Sequence, residues 1–138
     1  MTRILIIEDE PTREMRLKSW LPPDVRSVVA SSAGKAIGIL RRDSGVTYAG
    51  LVLDFDPQLR RATASDLHLS GHDVVLAIIQ YVSPEVRILV HSKNTSQSSV
   101  MVQALQHAGF SVTQIPMHLL TADLFGSFFE GLRGNQCE

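Results

Sequence analysis

Carboxylates crowd the ends of two apolar runs in this chain. Ile4-Leu5-Ile6-Ile7 leads straight into Glu8-Asp9-Glu10, and Leu51-Val52-Leu53 leads into Asp54-Phe55-Asp56. If both runs are parallel strands of one sheet, these side chains meet at a single edge. Close carboxylates repel one another unless a cation sits among them, and oxygen-only ligands suit Mg²⁺. Glu8, Asp9, Asp54 and Asp56 are therefore the candidate metal ligands. Such a centre serves phosphoryl chemistry, because the metal neutralises charge on phosphate oxygens and can deprotonate bound water. A third apolar run ends in Val90-His91-Ser92-Lys93-Asn94. An imidazole titrates in the right range to protonate a leaving alkoxide, so His91 is a candidate general acid. Ser92 and Asn94 could donate to phosphate oxygens, and Lys93 or the pair Arg60 and Arg61 could add positive charge.

Each of these residues also has a plainer reading. Acidic strand ends are often solvated and favour the start of a following helix. A strand-end histidine can simply bond a carbonyl, and Ser and Asn are common turn and cap residues. The joint spacing of Glu8-Asp9 and Asp54 is what favours a metal site.

The elements that must position these groups alternate in type. Arg3–Ile7 reads as a first strand, unbroken in apolar character as when both faces are covered. Pro11 marks the first turn of a helix whose apolar face is Met15, Leu17, Trp20 and Leu21 and which stops before Pro22-Pro23. Val25–Ala30 is a second strand, and Ser31 or Ser32 can cap the helix carrying Ala36, Ile37 and Leu40. Gly50–Asp54 is the third strand. A long polar loop precedes a helix from about Asp73 to Tyr81. Val86–Val90 is the fourth strand, and the next helix (Val100, Met101, Ala104, Leu105) ends at Gly109, a good residue for the left-handed turn after a helix. Phe110–Ile115 is the fifth strand. Thr121 caps a last helix with Leu124, Phe125, Phe128 and Leu132 on one face.

Five successive strand–helix units predict a parallel sheet with helices on both faces, since each parallel crossover needs a helix-sized connection. Ligands of such folds bind at the carboxyl edge, where strand order reverses. The acidic residues fall at that edge.

The chain has 138 residues, a length that suits one domain, which we expect over 1–133 with a short polar tail, 134–138. Its formal charge of −1 gives no electrostatic reason to expect nucleic-acid binding. No apolar stretch approaches a membrane span, and the N-terminus lacks a signal-peptide pattern. The single cysteine, Cys137, leaves no internal disulfide, in keeping with a reducing cytoplasm.

Glu8-Asp9 at the end of the first strand and Asp54 at the end of the third resemble the response-regulator receiver domain, over nearly the whole chain. The resemblance implies a flavodoxin-like three-layer α/β fold, five parallel strands in the order 2-1-3-4-5. It also implies Mg²⁺ at Glu8-Asp9 and phosphoryl acceptance at Asp54. A receiver normally carries Thr or Ser after its fourth strand and a Lys before Pro after its fifth. Here His91 follows Val90, and Ile115 precedes Pro116 in the lysine's place. Leu53-Asp54-Phe55-Asp56, Gly71-His72-Asp73-Val74-Val75 and His91-Ser92-Lys93-Asn94 together are similar to a divergent branch, the cyclic-phosphate-processing receivers.

Three functions follow as expectations. The first is a Mg²⁺-dependent phosphoesterase-like receiver acting on a cyclic phosphate, with Asp54, His91, Ser92 and Asn94 catalytic and Ser92, Lys93 and Asn94 binding phosphate. The second is a single-domain response regulator phosphorylated on Asp54 by a histidine kinase. The third is an inert interaction module. A homodimer is compatible with each of them.

Overall fold

Strand β1 (Thr2–Ile7) is apolar from Ile4 onward because it is an interior strand of the sheet, with Ile4 to Ile7 all buried. The computed structural model describes residues 2–43, 48–54, 71–92 and 95–136. Helix α1 (Pro11–Ser19) follows, then β2 (Val25–Ala30), α2 (Ala33–Arg42) and β3 (Gly50–Asp54). The second half contains α3 (Gly71–Tyr81), β4 (Arg87–Ser92), α4 (Thr95–His107), β5 (Val112–Pro116) and α5 (Ala122–Gln136). A single 3₁₀ turn, Met117–Leu119, joins β5 to α5.

The five strands pair in the order β2-β1-β3-β4-β5, and every pair is parallel. This is the expected sheet. The order reverses beside β1, so the carboxyl ends of β1 and β3 form the crevice where α/β folds place ligands. Val25–Ala30 and Gly50–Asp54 fall where their sequences put them. Strand β4 runs one residue later at its start and two later at its end than the apolar run alone suggests, so His91 and Ser92 are strand residues. Helix α5 continues to Gln136, through the first residues of the expected tail.

Strand alternation divides the core in two. Leu5, Ile7, Leu51, Leu53, Ile88 and Val90 point to one face and pack on α2, α3 and α4. Ile4, Ile6, Val52 and Leu89 point to the other, against Leu17 of α1 and Phe125 and Phe129 of α5. On that second face Trp20 lies 5.8 Å from Phe125, centroid to centroid, so it is a core cover. Met15, expected on the apolar face of α1, is instead 69% exposed, because only Leu17 of that helix is fully buried against the sheet.

Local signals set the boundaries. Ser32 caps α2 by accepting from the Lys35 N–H, and Thr121 caps α5 by accepting from the Leu124 N–H. Gly109 takes a φ of +102° after α4, a conformation that costs a side-chain-bearing residue dearly. Among the described residues, no helix is long and apolar enough to cross a membrane.

Candidate functional site

Period-two alternation carries the second core face to the carboxyl edge of the sheet. Continuing Ile4 and Ile6 by two places gives Glu8; continuing Val52 gives Asp54; continuing Leu89 gives His91. Register aligns Asp54 with His91, and His91 with Ile115. Glu8, Asp54 and His91 are all buried, and one side-chain donor atom from each lies within 4.8 Å of those of the other two. Three of the sequence candidates therefore meet in one place.

Arg13 enters the same place from the first turn of α1. Its Nε donates to Glu8 Oε1 at 3.1 Å, and one terminal nitrogen donates to Glu8 Oε2 at 3.2 Å and to Asp54 Oδ2 at 3.1 Å. The same nitrogen stands 3.6 Å from Asp9 Oδ1. Nothing in the sequence reading singled out this residue. It stands four residues after Asp9, in the first turn of the helix that follows β1. Glu10 does not join the cluster. Its carboxylate caps α1, accepting from the N–H groups of Thr12 and Arg13 at 3.1 and 2.8 Å, and these bonds lower its pKa.

The electrostatics are unbalanced. Burial, a hydrogen bond shared with Glu8 and the Glu8 charge push Asp54 up to about 9, and Arg13 beside it pulls the other way without prevailing. At neutral pH the Glu8–Asp54 pair thus keeps a proton between its two carboxyls. Burial also works against the Arg13 charge, but its bonds to Glu8 and its attraction to Glu8 and Asp54 outweigh that and raise its pKa. One guanidinium and one shared proton leave three carboxyl groups with a residual negative charge. A divalent cation is the natural complement to such a surplus, and Glu8, Asp9 and Asp54 offer oxygen donors that fit one.

His91 is the unsatisfied member. Its Nε2 lies 3.8 Å from Glu8 Oε1, too far for a hydrogen bond, and neither ring nitrogen has a hydrogen-bond partner among the described residues. Burial pushes its pKa down to about 4; the Glu8 charge opposes this and Arg13 adds to it. At pH 7 the ring is neutral, which removes the ready proton that a general acid needs. A small, partly open pocket lies beside His91, lined by Arg13, Arg16 and Trp20 of the α1 region and Met117 and Leu120 after β5.

The remaining candidates are not brought into this cluster by the described structure. Ser92 is buried and follows His91 in the strand, so alternation turns it to the opposite face of the sheet. His72 is exposed on α3, with Nδ1 3.4 Å from the sulfur of Met101. Asp56, Arg60, Arg61, Lys93 and Asn94 lie outside the described residues.

No protein-family model and no curated protein matches the sequence. Solved structures do match. The response regulator domain of Thermotoga maritima CheB aligns with a TM-score of 0.65 at 16% identity, covering 97% of this chain and 95% of that one. A response regulator receiver domain protein from Clostridium thermocellum aligns with a TM-score of 0.68 at 19% identity, covering 99% and 98%. The fold is that of a receiver domain. The response regulator TrrA of Thermotoga maritima, solved in complex with Mg²⁺ and BeF, has a TM-score of 0.63 at 18% identity, with 96% and 99% covered. In this receiver fold Ile115 is partly buried against the second core cluster, so the last strand brings an aliphatic group where the resemblance led one to expect a lysine. Among the described residues the cation that touches Asp54 is Arg13.

Proposed function

We propose that this receiver domain works as a response regulator, with Asp54 accepting a phosphoryl group from a histidine kinase or a small phosphodonor. The observation that carries the reading is the negative surplus at the carboxyl edge, with Asp54 buried beside Glu8 at the topological switch point. Glu8, Asp9 and Asp54 would hold a divalent cation, which would supply charge neutralisation on the transferring phosphoryl oxygens. Asp54 is only 3% exposed, so the side chain of Arg13 must give up its bond to Asp54 before the carboxylate can attack. In the transfer, an Asp54 oxygen would form the new bond to phosphorus as the bond from phosphorus to the donor atom breaks, an imidazole nitrogen in a phosphohistidine or a carboxyl oxygen in acetyl phosphate. The leaving group departs with that electron pair.

The test is intact mass after incubation with Mg²⁺ and acetyl phosphate. The expected result is a single phosphoryl adduct that is absent from Asp54→Asn. A wild-type protein that stays unmodified with Mg²⁺ bound would overturn the reading.

A second reading, cleavage of a cyclic phosphate, rests on one feature: the unpartnered ring of His91 beside the carboxylates. The comparisons lend it no support, and a neutral His91 would serve as an acceptor of a proton rather than a donor. Release of a monoester from a 2′,3′-cyclic nucleotide, lost in His91→Ala, would establish it.

A further inference from the structure

We infer that His91 is itself a metal ligand, and that the Glu8–Asp54–His91 cluster takes a first-row transition-metal dication such as Mn²⁺ or Zn²⁺ in preference to Mg²⁺. The inference rests on the divalent-cation site of the proposed function and names the class of its ion. Mg²⁺ favours octahedra built of oxygen and rarely recruits imidazole, whereas Mn²⁺ and more strongly Zn²⁺ accept mixed nitrogen and oxygen sets. The described donor set is mixed: carboxylate oxygens from Glu8 and Asp54, and an imidazole nitrogen from His91.

Three independent features point the imidazole at an ion. His91 is 1% exposed, and a buried polar ring with no hydrogen-bond partner among the described residues is costly unless something else binds it. Its Nε2 is 3.8 Å from Glu8 Oε1. Two donors that share an ion at about 2.1 Å stand roughly 3–4 Å apart, so this separation is too long for a hydrogen bond and right for common ligation. Finally, the strand register that levels His91 with Asp54 fixes both donors on the same rigid sheet edge rather than on a loop.

The same geometry defines the competitor. Arg13 bonds Glu8 Oε1, Glu8 Oε2 and Asp54 Oδ2, the oxygens an incoming ion would need. Its guanidinium is therefore a resident counter-ion that a dication must displace. The pocket lined by Arg13, Arg16 and Trp20 lies beside it. Trp20, the single tryptophan of the chain, lines the pocket and can report it by fluorescence.

The test titrates the protein with Mn²⁺ and with Mg²⁺, following Trp20 fluorescence and the heat of binding, in the wild type and in His91→Leu. The wild type should prefer Mn²⁺ at least tenfold, and the variant should lose most of that preference while its Mg²⁺ affinity changes less than about threefold. An equal preference in both proteins would overturn the inference. Because His91→Leu could fail to fold, pulsed EPR of wild type loaded with one Mn²⁺ gives a second readout. A directly bound ¹⁴N coupling is expected, and its absence would overturn the inference without any variant. The two proposals fail separately. An Asp54 adduct without nitrogen coupling would sink the metal assignment alone, and nitrogen coupling without an adduct would sink only the phosphoryl-acceptor reading.

Discussion

The two faces of the sheet begin alike and end differently. On the face covered by α2, α3 and α4, the strands carry Ile7, Leu53 and Val90, and the face is apolar up to these residues, with the buried Ser92 following Val90. On the face covered by α1 and α5, the same strands carry, one residue later, Glu8, Asp54 and His91. A shift of one position along a strand thus separates a packed core from a charged site. The apolar face stores stability, and the other spends part of it on carboxyl groups that burial makes costly. Neighbouring residues of one strand should therefore respond to mutation with opposite sign.

The sharpest break of that contrast compares Leu53 with Asp54. Truncating Leu53 to Ala should lower the unfolding free energy by about 2–5 kcal/mol through lost burial and a cavity. Asp54→Asn should raise it by about 1–3 kcal/mol at neutral pH in metal-free buffer, measured by urea denaturation, because it removes a strained carboxyl. Equal destabilisation by both changes would mean that the site face is ordinary core.

The gain from Asp54→Asn should depend on pH with a definite sign. The Asp54 pKa rises from the ordinary carboxyl range to about 9 on folding. Below pH 4 both states are protonated and the difference from wild type is smallest. Between about pH 4 and 9 the unfolded chain releases a proton that the folded chain keeps, so wild-type stability falls as pH rises and the variant's advantage grows. A flat difference over this range would show that the pair does not hold a proton.

A finer probe uses the ion. A dication that takes the Glu8–Asp54 oxygens must expel their shared proton, so its apparent affinity should rise with pH by up to about tenfold per unit until Asp54 ionises near pH 9. Calorimetry in buffers of different ionisation enthalpy would count the proton released. A pH-independent affinity would place the ion elsewhere.

Much of this organisation was legible in the sequence. The unbroken run Ile4–Ile7, the alternation of strand and helix signals, and cap residues such as Ser32 and Thr121 each state a local preference that agrees with the global fold. Glu8, Asp54 and His91 could be found because they end strands, and parallel strands carry their ends to one edge. Arg13 could not be found the same way. Its role depends on how α1 lies across β1, a packing angle that no pattern within one helix encodes, and a first-turn arginine looks like solvent-facing charge. The exposure of Met15 has the same origin, since α1 rests on the sheet through a narrow stripe at Leu17. Strand β4 outran its apolar signal because a buried histidine and serine continue it without adding hydrophobicity. Ser92 was grouped with His91 by adjacency, whereas the pleat sends consecutive residues to opposite sides.

Arg13 has a consequence for folding. Crowded carboxylates repel one another, and that repulsion opposes closure of an acidic edge. Here the neutralising group is encoded four residues beyond Asp9, on the first helix to follow the first strand. The chain carries a provisional cation from the moment that helix docks. The acidic edge is thus partly neutralised by the chain's own helix, and any dication seeking those oxygens competes with a tethered side chain.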